Sequence, residues 1–525
     1  MTLRTMDFSV GDPLLPFTRI AQHAFKNAAK DLNKYTMPAN VSLDSDIGRL
    51  LHDMSNYFTK RGFRCPGWTG LGSDGMIVTN GGTTEAYEMV IRALAQDVKE
   101  HERLTKRTIK PVIVMPVPTY GFFFDNPRNW GIEAVTLPRN MDEGGTLEPR
   151  ALYDLFQKLD ADGKRVVAYY DCNPHNPLGL VRGRTETEML AKIISWQSNQ
   201  YEKRDNGWAN SQTPPRKKKA ASDDIFDLMD DYAGCHLHRG VSSRIKIIDD
   251  MAYDGLQYEG VDAPFAFGQL RDGEFRALFR DTFTLFSASK AGLVNLRAGL
   301  LIGHPDWLRD IKKMSMSTGY CASKVSYHAL HAYFSEQPKF RAWKDTHLKT
   351  LNALHQRNGL LMKALINGID NMEELKPKQR DELITLYATT ARTTKIAASK
   401  RLQQSIKGLK ITTTPQSGFF HLLDFSALKG RQYGNDLVHY KRYEGMTDFE
   451  DGYAIEHLSA GVRIKFAYAA WAGLDDSLQT RVSFAKPVED IIEFANRMEK
   501  LVGKTTPRVR VRGHKPSITP LCGGV

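Results

Sequence analysis

Short apolar runs, each four to six residues long, recur between helix-like patterns in the first 303 residues. Residues 85–94, which follow the first run, have the pattern of a helix. Continuous apolar strands that alternate with helices are typical of a mostly parallel sheet covered on both faces. Ligands of such folds bind at the C-terminal ends of the strands. We therefore predict an α/β fold with strands at residues 75–79, 111–115, 165–170, 245–249, 282–286 and 300–303.

The pattern changes after about residue 325, where helical stretches become longer and strand-like pieces shorter. This change predicts a second, smaller α+β domain at the C-terminal end. The helical stretches cover residues 325–335 and 347–367, and the strand-like pieces lie near residues 410–413, 419–423 and 481–485. The predicted division is an N-terminal arm contributing to the small domain (1–34), a large domain (35–324), a small domain (325–502) and a tail (503–525).

The composition, with 41% hydrophobic and 25% charged residues, excludes a disordered or collagen-like chain. The formal net charge of +12 raises nucleic acid, an anionic membrane or an acidic ligand as partners. Most of this charge lies outside the predicted domain cores, because residues 198–221 carry +4 and residues 503–525 carry +5. We predict an inserted loop at 198–221 and a solvated tail at 503–525. A nucleic-acid partner is therefore not expected, and a tail that binds a polyanion is the alternative.

The five cysteines are far apart and form no CxxC pair, so neither a metal site nor a disulfide framework is expected. This usage indicates a reducing compartment, and we predict a cytoplasmic protein. The N-terminal residues lack the apolar stretch of a signal peptide. No run of 18 apolar residues occurs, so no contact with the membrane is expected.

The strongest chemical feature is Ser287-Ala288-Ser289-Lys290, directly after a predicted strand. Most lysines are solvated, but a half-buried lysine has a lowered pKa and can form a Schiff base. The hydroxyls of Ser287 and Ser289 and the guanidinium of Arg297 would suit a phosphate group.

Two further groups follow predicted strands. Asp250 and Tyr253 come after residues 245–249, and Asn176 lies in Asn173-Pro174-His175-Asn176-Pro177, after residues 165–170. Each segment alone could be an acidic helix cap or a rigid turn. Pyridoxal phosphate, however, needs a carboxylate at its pyridine nitrogen, which makes the ring an electron sink. Asp250 would supply it, and Asn176 and Tyr253 could bind the ring oxygen.

Three other segments have a plain structural reading and a functional one. Gly82, Thr83 and Thr84 could simply start a helix, or they could offer backbone N–H groups to a phosphate. Tyr120 could stack on a planar cofactor, although aromatic residues more often belong to the core. Arg481 could pair with surface acids or hold a substrate carboxylate.

The order of these segments along the chain resembles the class I/II aminotransferases, a family of fold-type I pyridoxal-phosphate enzymes. The chain runs from the glycine-rich turn through P-x-Y, NPxNPxG, D-x-A-Y and S-x-S-K to R-x-S-F-A, over residues 79–485. Its Gly11-Asp12-Pro13 resembles the family's substrate-binding arm. The resemblance implies a large domain with a mostly parallel seven-stranded sheet covered by helices, plus a smaller α+β domain.

The resemblance also implies a role for each matching residue. Lys290 would carry the Schiff base and move the proton at Cα, Asp250 would pair with the ring nitrogen, and Arg481 would bind the substrate carboxylate. Gly11 and Asn176 would also contact substrate. The implied cofactor-binding residues are Gly82, Thr83, Thr84, Tyr120, Asn176, Asp250, Tyr253, Ser287, Ser289, Lys290, Arg297 and, from a neighbouring subunit of a homodimer, Tyr35.

The implied activity is transfer of an amino group between an amino acid and a 2-oxo acid. The same residues also serve C–S lyases, decarboxylases, cyclases and oxidases of this fold, because a fold does not determine the reaction. An alternative of another class is a binding protein that has kept the fold and uses its basic tail.

Overall fold

The computed structural model describes residues 4–31, 45–65, 70–212, 244–271, 275, 278–317, 322–428, 431–433, 436–437, 463–465, 467–468 and 478–503. Its strands are β1 (Met6–Asp7), β2 (Met76–Thr79), β3 (Lys110–Val117), β4 (Glu133–Pro138), β5 (Lys164–Cys172), β6 (Lys246–Met251), β7 (Thr282–Ser287), β8 (Gly299–Ile302), β9 (Lys410–Ile411), β10 (Phe420–Asp424), β11 (Gln432–Tyr433), β12 (Asp436–Leu437), β13 (Ile464–Lys465), β14 (Ala467–Tyr468) and β15 (Gln479–Ser483). Its α-helices are α1 (Thr18–Ala28), α2 (Asp46–Lys60), α3 (Gly82–Thr105), α4 (Phe122–Asn129), α5 (Pro149–Ala161), α6 (Arg184–Gln212), α7 (Pro305–Ser317), α8 (Lys324–Tyr333), α9 (Pro338–Asn367), α10 (Pro377–Thr390), α11 (Lys395–Gln403) and α12 (Val488–Gly503).

Seven strands form the central sheet, in the order β2-β8-β7-β6-β5-β3-β4. All neighbouring strands are parallel except β8, which is antiparallel to both β2 and β7. The link between β7 and β8 is short, and a parallel crossover needs a dozen or more residues. The structure thus confirms the predicted fold class.

Alternate residues of the central strands enter different parts of the core. On β3, Val112 and Val114 pack with residues of α5 and α6, such as Phe156 and Leu190. Ile113 and Met115 point to the other face, which α3 covers. Side chains alternate between the faces of a strand, so a strand covered on both faces must be apolar throughout. This explains the continuous apolar runs in the sequence.

A second, antiparallel sheet contains four strands of the C-terminal part, in the order β14-β15-β10-β9. The N-terminal segment joins this part, because β1 pairs in parallel with β13, Met6 opposite Ile464. The chain then continues along β15, where the Ser483 amide donates to the Phe8 carbonyl at 2.9 Å. These contacts link the first residues to the small sheet, while the predicted domain boundaries stay predictions.

Two elements differ from the predictions. The segment predicted as a loop from residue 198 is helical as far as Gln212, within α6, so the prediction is wrong for 198–212. Gln, Glu, Lys and Arg are good helix formers, which the polar composition concealed. Strand β4 was not predicted, because it lies at the sheet edge with only Leu137 buried and lacks a continuous apolar run. The remaining residues of the predicted loop, 213–221, and the predicted tail from residue 504 lie outside the described residues.

Cys65 and Cys172 are buried free thiols. Among the described helices, none has the length and apolar character needed to cross a membrane.

The turn at Gly179 joins the large sheet to the C-terminal part. Its carbonyl accepts the Gln416 amide at 2.9 Å. Gly179 has φ +69°, and a Cβ atom there would lie 2.4 Å from Pro415 Cβ and 2.5 Å from the Ser417 carbonyl oxygen. Only glycine fits this close approach.

We predict that Gly179→Ala lowers the free energy of unfolding by roughly 2–4 kcal/mol, from overpacking plus the cost of a positive φ. Urea denaturation of the full chain measures this change. Gly163→Ala is the matched control, because Gly163 has φ +68° and nothing within 4 Å of its Cβ position. Equal losses in the two variants would show that the contact with residues 415–417 is unimportant.

Candidate active site

A pocket opens at the C-terminal ends of β5, β6 and β7 and at the N-terminus of α3. It encloses about 520 Å³ of space, including open solvent at its mouth. The pocket is lined by eleven of the predicted cofactor residues and by Cys172 and Ala252: the eleven are Gly82, Thr83, Thr84, Tyr120, Asn176, Asp250, Tyr253, Ser287, Ser289, Lys290 and Arg297. Tyr35 lies outside the described residues.

One end of the pocket has the character of a phosphate site. Helix α3 begins there at Gly82, whose amide donates to the Arg297 carbonyl at 2.6 Å. A helix N-terminus presents N–H groups and a positive dipole end to an anion. The Arg297 guanidinium lies at the same end and donates to the Gly81 carbonyl at 3.0 Å.

Two serines complete this end. Ser287 Oγ accepts from the Ser289 amide at 3.0 Å and donates to the Ala298 carbonyl at 3.2 Å. Ser289 Oγ is buried and has no hydrogen-bond partner among the described residues. A buried hydroxyl without a partner is costly, so its position in the pocket wall indicates a ligand acceptor.

Lys290 lies in a turn directly after β7. Its Nζ is 3.4 Å from the Gly11 carbonyl oxygen and 5.9 Å from the centre of the Tyr253 ring. Burial, followed by the charge of Arg481, lowers the pKa of Lys290 to about 8. The amine therefore carries a free electron pair far more often near neutral pH than an ordinary lysine does.

Asp250 is the penultimate residue of β6, which is buried throughout. Its Oδ1 accepts the Ala252 amide at 3.0 Å, and its Oδ2 accepts the Tyr170 hydroxyl at 3.1 Å. Burial raises the pKa of Asp250 to about 7, despite both hydrogen bonds. A cationic partner in the pocket would stabilise the carboxylate form.

Asn176, Tyr253 and Tyr120 form the remaining wall. Asn176 is buried, and its Oδ1 accepts from Arg481 Nη1 at 3.3 Å, which leaves its amide nitrogen as the donor toward the pocket. Burial raises the pKa of the Tyr253 phenol well above its ordinary value, so the hydroxyl stays a donor. The Tyr120 ring is held edge-on against Phe123, with ring centres 5.1 Å apart at 89°.

Arg481 reaches this wall from β15 of the small sheet. Its Nη2 donates to the Ser9 carbonyl at 2.7 Å, and its guanidinium lies 4.3 Å from the centre of the Phe420 ring. Gly11 follows on the same segment, and a Cβ atom there would lie 2.2 Å from Phe420 Cζ. The arm, the small sheet and the large sheet therefore meet at the three predicted substrate residues, Arg481, Gly11 and Asn176.

A buried ionic network next to the pocket residues was not predicted from the sequence. Arg182 pairs with Asp171 and with Asp249, the latter at 2.8 Å, and Arg139 donates to Asp171 at 2.7 Å. These pairs join the ends of β5 and β6, which carry the pocket residues. Consecutive acids in an apolar strand, Asp249 and Asp250, were the available signal, because each needs a partner on its own face.

The donor set fits pyridoxal phosphate. The phosphate end has a helix N-terminus, an arginine and the unpartnered Ser289 hydroxyl. The pocket also contains Asp250, and its raised pKa shows that the carboxylate charge is poorly compensated, which suits a cation such as a protonated ring nitrogen. Lys290 lines the same pocket and supplies an amine that could bind an aldehyde.

Comparison with known proteins supports the same assignment. Residues 4–200 match the family model of aminotransferase class I and II. No protein of curated function matches the sequence. Solved structures with similar folds include the aromatic aminotransferase of Pyrococcus horikoshii OT3 (TM-score 0.61, 15% identity, 96% of both chains covered). The aspartate aminotransferases of Rhizobium meliloti (TM-score 0.60, 14% identity, 96% of this chain and 92% of that chain) and Thermus thermophilus (0.59, 16%, 95% and 91%) are also similar.

The sequence match covers the arm, the glycine-rich turn, Tyr120 and the Asn176 turn, and the structural matches cover the remaining pocket elements as well. Residues 4–200 thus match the class I and II aminotransferase family, and the chain has the fold of the aminotransferases named above.

Proposed function

We propose that this protein is an aminotransferase that moves an amino group between an amino acid and a 2-oxo acid with pyridoxal phosphate as cofactor. One observation carries the proposal: the Lys290 amine, the Asp250 carboxylate and the phosphate-binding end open into one pocket. Arg481 borders the same pocket through its hydrogen bond to Asn176. An amine, a buried acid and a carboxylate-binding cation are the groups that this reaction requires.

Arg481 binds the α-carboxylate of the substrate. Its guanidinium is oriented by the Ser9 carbonyl, by Asn176 and by the Phe420 ring, so its direction is set before substrate arrives. A planar guanidinium can make two parallel hydrogen bonds to a carboxylate. This contact places the substrate Cα next to Lys290.

Lys290 is the covalent attachment point and the group that moves the proton at Cα. As a neutral amine, Nζ accepts the proton from the Cα of the amino donor, and as an ammonium it returns a proton to the acceptor. Its lowered pKa, about 8, suits both directions near neutral pH.

The other residues hold the cofactor. Bound pyridoxal phosphate supplies an electron-withdrawing ring that stabilises negative charge at Cα. Asp250 would face its ring nitrogen, Asn176 and Tyr253 its ring oxygen, and Tyr120 its face. Gly82, Thr83, Thr84, Ser287, Ser289 and Arg297 would hold the phosphate.

We also propose that the protein is a cytoplasmic homodimer. The family resemblance supports the dimer, in which Tyr35 would reach the neighbouring subunit's phosphate site. The widely spaced cysteines support a reducing compartment. Light scattering of the purified full chain tests the dimer directly.

We predict that the purified protein forms a 2-oxo acid from an amino donor in repeated turnovers only when a 2-oxo acid acceptor is present, and at most one equivalent per cofactor site without it. A panel of donors and acceptors, read by chromatography of both products, measures this. Release of ammonia, CO₂ or peroxide without an acceptor would instead indicate a lyase, decarboxylase or oxidase.

We predict that attachment of pyridoxal phosphate to the cofactor-free protein increases with pH through a midpoint of about 8, as the Lys290 pKa requires. At pH 8 about half of this amine is neutral, against roughly 0.3% of an ordinary lysine. Borohydride trapping and peptide mapping at several pH values measure the attachment. A midpoint above pH 10, or equal labelling of Lys290→Arg, would contradict the assignment.

We predict that Arg481→Leu lowers kcat/KM for amino acids roughly 100-fold, since a charge-assisted contact worth about 3 kcal/mol is lost. Steady-state kinetics measures the change. Amines of the same side chain without the carboxylate are the control, and their turnover should be unaffected. An equal loss for acids and amines would show that Arg481 only supports the fold.

A further inference from the structure

The phenol of Tyr170 contacts Asp250, which lines the pocket. Tyr170 lies on β5, fully buried, and its hydroxyl donates to Asp250 Oδ2 at 3.1 Å. Asp250 Oδ1 is occupied by the Ala252 amide at 3.0 Å. The carboxylate is therefore held at both oxygens, one by the backbone of its own loop and one by a side chain of the neighbouring strand.

Two aromatic rings fix the position of this phenol. The Tyr170 ring packs edge-on against Phe123, with ring centres 5.3 Å apart at 85°, and against Tyr87, at 5.7 Å and 81°. Tyr87 and Phe123 are themselves stacked at 3.9 Å. Phe123 also contacts Tyr120, so one cluster orients both the Tyr120 ring and the hydroxyl on Asp250.

The direction of this hydrogen bond is set by the electrostatics. Burial, together with the charge of Asp250, raises the pKa of the Tyr170 phenol well above its ordinary value, so the phenol keeps its proton and donates it. Burial and the charge of Asp249 raise the pKa of Asp250. The hydrogen bond from Tyr170 and the charge of Lys290 lower this pKa and so favour the carboxylate form. The other titratable groups near Asp250 are Cys172, Tyr87, Tyr120 and Tyr253, all of which have raised pKa values and stay neutral.

We propose that Tyr170 is a positioning residue whose hydroxyl orients Asp250 and keeps its carboxylate charged toward the cofactor ring nitrogen. This inference rests on the proposed function, because it assumes a ring nitrogen opposite Asp250. Without the hydroxyl, one carboxylate oxygen loses its donor in a buried site, and the protonated acid is favoured. A protonated Asp250 pairs poorly with a pyridinium.

The test compares the affinity of the cofactor-free full chain for pyridoxal phosphate with that for its 1-deaza analogue, in which CH replaces the ring nitrogen. The wild type should prefer pyridoxal phosphate, and Tyr170→Phe should reduce this preference roughly tenfold. Tyr169→Phe is the matched control: Tyr169 is equally buried on the same strand, and its hydroxyl has no partner among the described residues. Its preference should equal that of the wild type.

An unchanged preference in Tyr170→Phe, with a clear preference in the wild type, overturns only the role of Tyr170. A wild type that binds both compounds equally, or binds neither, overturns the proposed function together with this inference. If Tyr170→Phe does not fold, a ring-fluorinated tyrosine at position 170 replaces it, because it keeps the size and makes the hydroxyl a stronger donor. The preference should then increase, and an unchanged or reduced preference overturns the proposal.

Discussion

Two consecutive carboxylates at the end of the central strand β6 are the constraint on which the site depends. Because neighbouring side chains point to opposite faces, Asp249 and Asp250 meet different environments. Asp249 is paired with Arg182 and also accepts the Phe267 amide at 2.8 Å. Asp250 has no such cation behind it among the described residues, and it faces the pocket instead. Burial therefore leaves Asp250 with a pKa near 7.

This raised pKa has a cost for the fold that a ligand can offset. The pKa of Asp250 in the folded protein lies above the ordinary 3.8. Its contribution to folding stability is therefore fully present below pH 3.8 and is lost as the pH rises toward about 7. At neutral pH about half of the molecules thus hold Asp250 as a carboxylate whose charge is only partly compensated. A cation placed opposite Asp250 removes this deficit. The same imbalance that weakens the free protein favours binding of a protonated ring nitrogen.

Eleven residues of the pocket could be predicted from the sequence, because nearly all of them lie at the end of a strand, shortly after one, or in the first turn of a helix. Parallel strands bring such positions to one edge, whatever the length of the chain between them. The partners behind the pocket could not be predicted in this way. The bond from Tyr170 to Asp250 depends on the pairing of β5 with β6, in which Cys172 lies opposite Asp250. The local pattern of apolar residues does not predict the pairing register of two strands whose residues are 80 positions apart.

The net charge of the sequence is likewise a poor guide to what the protein binds. The net charge of +12 by itself suggests a polyanionic partner, but a count of charges does not say where each cationic side chain lies in the fold. Lys290 and Arg297 line the pocket, and Arg481 is bonded to its wall. In the proposed function these three cations act at short range on a phosphate and a carboxylate, where burial makes each charge effective. The proposed chemistry thus depends on three positioned cations, while nine of the twelve net charges belong to the segments 198–221 and 503–525, which supply none of the residues named as lining the pocket.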